Sequence, residues 1–213
     1  MNIGSVIVAA GSGNRFGAKK QFAKIKDDRI VLDYSVELLK GFGDVVVVVK
    51  EEDVEFVKNR YGDGVGVTRG GKERMDSVYN GINALKSEYV LIHDAARPLI
   101  DKAIVQRLID ALKDYEAVIC AYPVFETIKH VENGFALYSL DRSRIFISQT
   151  PQGFLRKKLI EAMEEATKKG EYYSDEAGLW EKYFGSVRVV EGKRTNIKIT
   201  TKEDIEIVRC LLG

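Results

Sequence analysis

Surplus charge of one sign, long apolar runs and paired cysteines are all missing from this sequence of 213 residues. Lys and Arg number 33 against 32 for Asp and Glu, a formal net charge of +1. A basic nucleic-acid surface is therefore not the default reading, and any cationic cluster has to be local. The longest apolar run, Ala117–Tyr122, is far too short to cross a bilayer. Met1–Ser5 carries no basic segment and runs straight into a strand-like stretch, so it does not read as a secretory signal. The expected location is the cytoplasm, and neither nucleic acid nor a membrane is expected as a partner. Cys120 and Cys210 stand in apolar surroundings without partners at metal-ligand spacing, and read as reduced core thiols. Of the two histidines, neither is assigned to proton transfer.

What is present is an alternation of short apolar runs and amphipathic stretches. Strands are expected at Ile3–Ala9, Asp44–Val49, Tyr89–His93, Ala117–Val124 and Val187–Glu191. Helices are expected at Val31–Leu39, Val54–Tyr61, Ser77–Leu85, Lys102–Leu112, Lys157–Lys169 and Lys202–Leu212. This order implies an α/β fold with a mostly parallel sheet covered on both faces, whose ligands sit beyond the carboxyl ends of the strands. One segment departs from it. Phe125–Val131 and Phe135–Asp141 flank Asn133-Gly134, a strong hairpin signal. A two-residue turn would set Glu132 against Phe135 and Phe125 against Arg142, making Thr127 and Arg142 diagonal neighbours. The expected organisation is one domain over residues 1–213 with a projecting β-arm at about 125–147.

Three motifs carry the chemistry. The first, Ala9-Ala10-Gly11-Ser12-Gly13-Asn14-Arg15-Phe16-Gly17 followed by Lys19-Lys20-Gln21, directly follows the first strand. Small residues let backbone amides approach a phosphate chain closely. A dinucleotide-binding turn would need glycine where Phe16 stands, and a P-loop would need Gly-Lys followed by Ser or Thr. What remains is a glycine loop with its own cations, a planar fork from Arg15 and a point charge from Lys20. An ordinary turn with solvated basic side chains is the plainer reading. The second, Gly70-Gly71-Lys72-Glu73-Arg74-Met75-Asp76-Ser77, precedes a helix where an anion would bind; a helix start capped by Asp76 or Ser77 is its plainer reading. The third, His93-Asp94-Ala95-Ala96-Arg97-Pro98, ends an apolar strand. Asp94 there suits a Mg²⁺ ion, or another divalent cation, bridging nucleotide phosphates. A salt bridge to Arg97 is the alternative. His93 reads as a packed, hydrogen-bonded histidine.

Together these runs resemble the 2-C-methyl-D-erythritol 4-phosphate cytidylyltransferase family. The resemblance is carried by AAGSGNRF at 9–16, KKQF at 19–22, GGKERMDSV at 70–78, HDAARP at 93–98, PVFETIK at 123–129 and DR at 141–142. It continues through TPQ at 150–152, SDEA at 174–177 and VEGKRTNIKIT at 190–200, in the family's order and over nearly the whole chain. It implies a Rossmann-like sheet with a β-arm, a homodimer formed through that arm, and transfer of CMP from CTP to methylerythritol phosphate with release of pyrophosphate. By resemblance, Arg15 and Lys20 stabilise the transition state, while Arg142 and Lys198 position the acceptor. Ala9, Ala10, Gly11, Ser12, Gly13, Gly71, Arg74, Ser77, Asp94 and Ala95 hold the nucleotide, and Asp94 assists Mg²⁺. Thr127, Arg97, Thr150 and Ser174 complete the acceptor-binding set, with Thr127 and Arg142 able to serve a neighbouring subunit. The chain departs from the family pattern with Lys19 in place of proline, Lys72 in place of an acidic residue, and Ser174 in place of threonine.

The lack of an evident general base fits that chemistry. A phosphate monoester has a second pKa near 6 and is already mostly dianionic at pH 7. The difficulty is to bring two anions together, which calls for cations and alignment. Ribitol 5-phosphate as acceptor, a UTP- or GTP-dependent sugar-phosphate enzyme, and a non-catalytic nucleotide-binding module remain alternatives on the residues alone.

Overall fold

The computed structural model describes residues 1–13 and 16–212. Its strands are β1 (Ile3–Val8), β2 (Lys24–Lys26), β3 (Arg29–Ile30), β4 (Asp44–Val49), β5 (Gly66–Arg69), β6 (Tyr89–Asp94), β7 (Ala117–Pro123), β8 (Lys129–Glu132), β9 (Phe135–Ser139), β10 (Phe146–Leu155) and β11 (Arg188–Glu191). Its α-helices are α1 (Val31–Lys40), α2 (Val54–Tyr61), α3 (Arg74–Asn83), α4 (Lys102–Ala111), α5 (Arg156–Lys168), α6 (Glu176–Phe184) and α7 (Lys202–Leu212). The main sheet has the order β11-β7-β10-β6-β1-β4-β5. Neighbouring strands are parallel except β10, which runs antiparallel to both β6 and β7. This is a Rossmann-like α/β architecture.

Strand period and burial explain the layers. In the valine run of β4, Val45, Val47 and Val49 face one core with Leu32, Val36 and Leu39 of α1 and Ile104 and Leu108 of α4. Val46 and Val48 face the other, against Met75, Val78 and Ile82 of α3 and Leu159 and Met163 of α5. Side chains alternate across a strand, so a continuous apolar run feeds both faces. A third, smaller cluster packs Phe16 and Ile25 against Ile199, Ile205 and Val208 around α7.

Register places four strand ends together. Val8 lies opposite Val48 and Asp94, and Val49 opposite Arg69. The segments that follow β1, β4 and β5, and the last residue of β6, therefore share one edge of the sheet.

Several elements differ from expectation. Strand β10 is not legible as a strand in the sequence because its middle is polar; Gln149, Thr150 and Gln152 are buried there, at an irregularity between Ser148 and Gln152. Helix α6 and the short strand β5 likewise escape the periodicity. Helix α3 begins at Arg74, three residues before Ser77, because Asp76 reaches back to accept the Glu73 N–H at 2.9 Å. Cys120 is buried, but Cys210 is exposed on α7 and is no core thiol. The hairpin forms with Glu132 opposite Phe135, yet a bulge between His130 and Val131 moves the register by one, so that Lys129 pairs with Ser139. The Phe125–Arg142 pairing of an unbroken ladder is replaced by a hydrogen bond from the Arg142 guanidinium to the Phe125 carbonyl.

Candidate active site

The glycine loop leaves β1 with the Ala9 N–H donating to the Val48 carbonyl at 2.8 Å. Gln21, which is buried, donates its side-chain amide to the carbonyls of Ala9 at 2.7 Å and Gly11 at 3.2 Å, pinning the loop from beneath. Gly13 sits at φ +69°, and a Cβ there would lie 1.9 Å from the Ala18 carbonyl oxygen, so only glycine fits. Its own carbonyl accepts the N–H groups of Phe16 and Gly17, each at 2.9 Å. The loop returns to Lys20, whose Nζ donates to the Ile199 carbonyl at 2.6 Å. That bond draws Lys20 to the segment bearing Lys198. Lys19 points the other way, pairing with Asp53 at 2.6 Å and Glu52 at 3.0 Å. Arg15 lies outside the described residues.

The opposite wall is the start of α3. Ser77 Oγ accepts the Gly71 N–H at 3.0 Å and donates to the Glu73 carbonyl at 3.2 Å, which folds the glycine pair back over the helix end. Arg74, the first residue of that helix, reaches between two carboxylates. Its Nη2 and Nε donate to Asp94 Oδ1 at 3.1 and 3.3 Å, and its Nη1 donates to Glu176 Oε1 at 2.7 Å.

Asp94 closes β6 at the centre. Oδ1 faces Arg74, and Oδ2 accepts Lys198 Nζ at 2.5 Å. Burial by itself would raise this carboxyl, but Arg74 and Lys198 outweigh it and hold it well below the usual range. The alternative salt bridge, Asp94 to Arg97, is not formed; Arg97 donates instead to the carbonyls of Asn196 at 2.8 Å and Ser148 at 3.4 Å. Behind Asp94, its backbone N–H donates to Thr150 Oγ1 at 3.0 Å, and that hydroxyl lies 3.1 Å from His93 Nδ1. Burial pushes His93 down to about 4, so it is a neutral packing residue at physiological pH.

These walls enclose a cleft of about 630 Å³ lined by Val8, Ala9, Ala10, Gly11, Ser12, Lys20, Gln21, Lys50, Glu51, Glu52, Gly70–Arg74, Ser77, Asp94–Ala96 and Lys198. The IspD family model, described as 2-C-methyl-D-erythritol 4-phosphate cytidylyltransferase, matches residues 3–213. The chain belongs to this cytidylyltransferase family. It is 37% identical over 220 residues to the 2-C-methyl-D-erythritol 4-phosphate cytidylyltransferase of Clostridioides difficile (strain 630), covering 98% of this chain and 92% of that one. To the protein of the same name from Aquifex aeolicus (strain VF5) it is 38% identical over 209 residues, with 98% and 97% covered. Among solved structures, 4-diphosphocytidyl-2C-methyl-D-erythritol synthase from Anaerococcus prevotii DSM 20548 superposes with a TM-score of 0.87 at 28% identity, covering 99% and 96% of the two chains. The 2-C-methyl-D-erythritol 4-phosphate cytidylyltransferase of Thermus thermophilus gives 0.85 at 28% identity, with 97% of each covered.

In this cytidylyltransferase chain, then, Ala9, Ala10, Gly11, Ser12, Lys20, Gly71, Arg74, Ser77, Asp94, Ala95 and Lys198 line one cleft. Other residues named from sequence stand elsewhere. Gly13 shapes the loop without lining the cleft. Thr150 is buried with its hydroxyl committed to Asp94 and His93, and Arg97 is bound to backbone carbonyls, so both support the floor. Ser174 is exposed before α6, and Thr127 and Arg142 are exposed at the base of the arm, away from the cleft lining of their own chain. Sequence reasoning gives no role to Gln21 or Glu176, although both fall inside quoted motifs. The signal in each case is a polar residue within a motif, in a chain segment that must pack.

Proposed function

We propose that this chain transfers CMP from CTP to 2-C-methyl-D-erythritol 4-phosphate, forming 4-diphosphocytidyl-2-C-methyl-D-erythritol and pyrophosphate. The observation that carries the reading is the meeting of Arg74 and Lys198 on Asp94 at one sheet edge, with Lys20 lining the same cleft, in a chain of this family. The cleft offers the backbone of the 10–12 loop to a triphosphate, and cations from both sides of the sheet edge. An acceptor phosphate oxygen attacks the α-phosphorus in line, and pyrophosphate leaves. Lys20 and Lys198, with Arg15 from the same loop, stabilise negative charge where it grows. No protein base is required, because the nucleophile is already anionic.

Asp94 remains ionised at neutral pH and ends the central strand β6, where a divalent cation would share it with Arg74 and Lys198. Mg²⁺ is commonly held by one or two carboxylates together with substrate phosphates, and no cluster of three His, Cys, Asp or Glu side chains occurs among the described residues. Asp94 therefore fits a nucleotide-carried Mg²⁺, which would supply charge neutralisation at the phosphates. Acceptor selection is assigned to Lys198 with Thr127 and Arg142. The last two lie on the arm, so the reading includes a homodimer in which one arm reaches the partner's cleft, in the cytoplasm.

A pyrophosphate-release assay with the four nucleoside triphosphates, each with methylerythritol phosphate or ribitol 5-phosphate, tests this. Turnover is expected with CTP and methylerythritol phosphate alone. Faster turnover of any other pair refutes the assignment.

A further inference from the structure

Glu176 is an acid with little reason to be where it is. It is the first residue of α6, only 2% exposed, and packed behind the cleft wall rather than on it. Its Oε1 accepts Arg74 Nη1 at 2.7 Å; its Oε2 has no hydrogen-bond partner among the described residues. Burial pushes its carboxyl up, opposed by Arg74. A buried ion pair is a poor source of stability, since desolvation offsets most of the Coulomb gain and a well-packed apolar side chain often serves as well. An acid in this place needs a role other than stability.

That role follows from what Arg74 does. Its guanidinium has two donor edges. One faces Asp94 in the cleft and the other faces Glu176 behind it. A guanidinium bound along both edges has its orientation set from two sides. Glu176 is itself held firmly. Asp175 caps α6 by accepting the Gly178 N–H at 3.1 Å, and Gln152 of β10 accepts the Ala177 N–H at 3.2 Å while donating to Asp175 at 2.9 Å. A firmly held acid therefore fixes the far side of the guanidinium. Without it, Arg74 would turn wholly toward Asp94 and compete with Lys198 for that carboxylate.

We propose that Glu176 is a positioning residue for nucleotide binding, acting through Arg74 to hold the guanidinium on the cleft wall and to leave Asp94 shared with Lys198. The inference rests on the cleft being the CTP site, which binding and turnover by the unaltered protein test separately.

The experiment measures CTP affinity by calorimetry, KM for each substrate, and the melting temperature for Glu176→Gln, Glu176→Asp, Arg74→Met and the double variant R74M/E176Q. E176Q is expected to weaken CTP binding roughly tenfold, as the loss of ligand-orienting partners does elsewhere, with the acceptor KM unchanged. E176D, which keeps the charge, is expected between E176Q and the parent. R74M should match or exceed the loss in E176Q, and R74M/E176Q should lose nothing beyond R74M, because both act through one group. Unchanged CTP affinity in folded E176Q, with only the melting temperature lowered, would reduce Glu176 to a structural residue and overturn the proposal. Losses that multiply in the double variant would also overturn it. If E176Q is too unstable to assay, R74M against R74M/E176Q decides: equal affinity supports the proposal and a further loss refutes it.

Discussion

Asp94 and Glu176 show one physical effect with two outcomes. Both are buried and both touch Arg74, yet burial prevails at Glu176 and raises it, whereas at Asp94 the added charge of Lys198 tips the balance the other way. Asp94 is thus kept anionic where a phosphate-bound cation would meet it. Lys198 has a double task, holding Asp94 and facing the cleft. Replacing it with alanine is expected to lower kcat/KM on the order of a hundredfold in steady-state assays. Asp33 offers a stability test away from the site. It accepts Arg60 at 2.5 and 2.7 Å, the Tyr61 hydroxyl at 2.7 Å and the Ile30 N–H at 2.8 Å. Burial raises its carboxyl, but these partners together hold it below the ordinary value of 3.8. A depressed folded value means that its stabilisation is complete above the unfolded value and is lost as pH falls below about 4 toward the folded one. Asp33→Asn is expected to cost about 2 kcal/mol in urea unfolding at pH 7. The gap to the parent should narrow by pH 3.

At the scale of elements, the cleft depends on how closely α3 approaches the sheet. Gly81 faces β1 and β4, and a Cβ there would lie 2.4 Å from Val6 and 2.8 Å from Val48. Both neighbours are β-branched core residues with little freedom to move. Gly81→Ala should therefore destabilise the protein by about 1–3 kcal/mol in thermal or urea unfolding, although alanine is the better helix former by about 1 kcal/mol. The same substitution lifts the helix that carries Arg74 and Ser77, so the KM for CTP should rise with it. On the facing side, the pair between Lys19 and Asp53 ties the glycine loop to the turn after β4. The loop is thus held on this side by charge.

For the molecule as a whole, the arm carries the most exposed apolar surface. Phe135 is 74% exposed, and Phe125, Val131, Leu137, Tyr138 and Phe146 are also exposed along or beside it. Two strands alone are marginal in water, and apolar side chains gathered this way mark a contact surface. A dimer is expected in sedimentation equilibrium at micromolar concentration. Phe135→Asp should shift it toward monomer and raise the acceptor KM while CTP affinity holds. A monomer in the unaltered protein would count against arm exchange.

The amino-acid order alone determined the alternation of strands and helices, the glycine loop after β1, the second glycine pair before α3 and the hairpin at Asn133-Gly134, because period, turn chemistry and capping act over a few residues. The tertiary structure decided the rest. Asp94 found Arg74 and Lys198 rather than nearby Arg97, because strand order brings residues 20 and 104 positions away to the same carboxylate. Strand β10 was hidden by the polar residues it buries between β6 and β7, and a single bulge displaced the pairing of the arm. Charge pairing and register are settled by which elements become neighbours, and no local pattern along the chain encodes that choice.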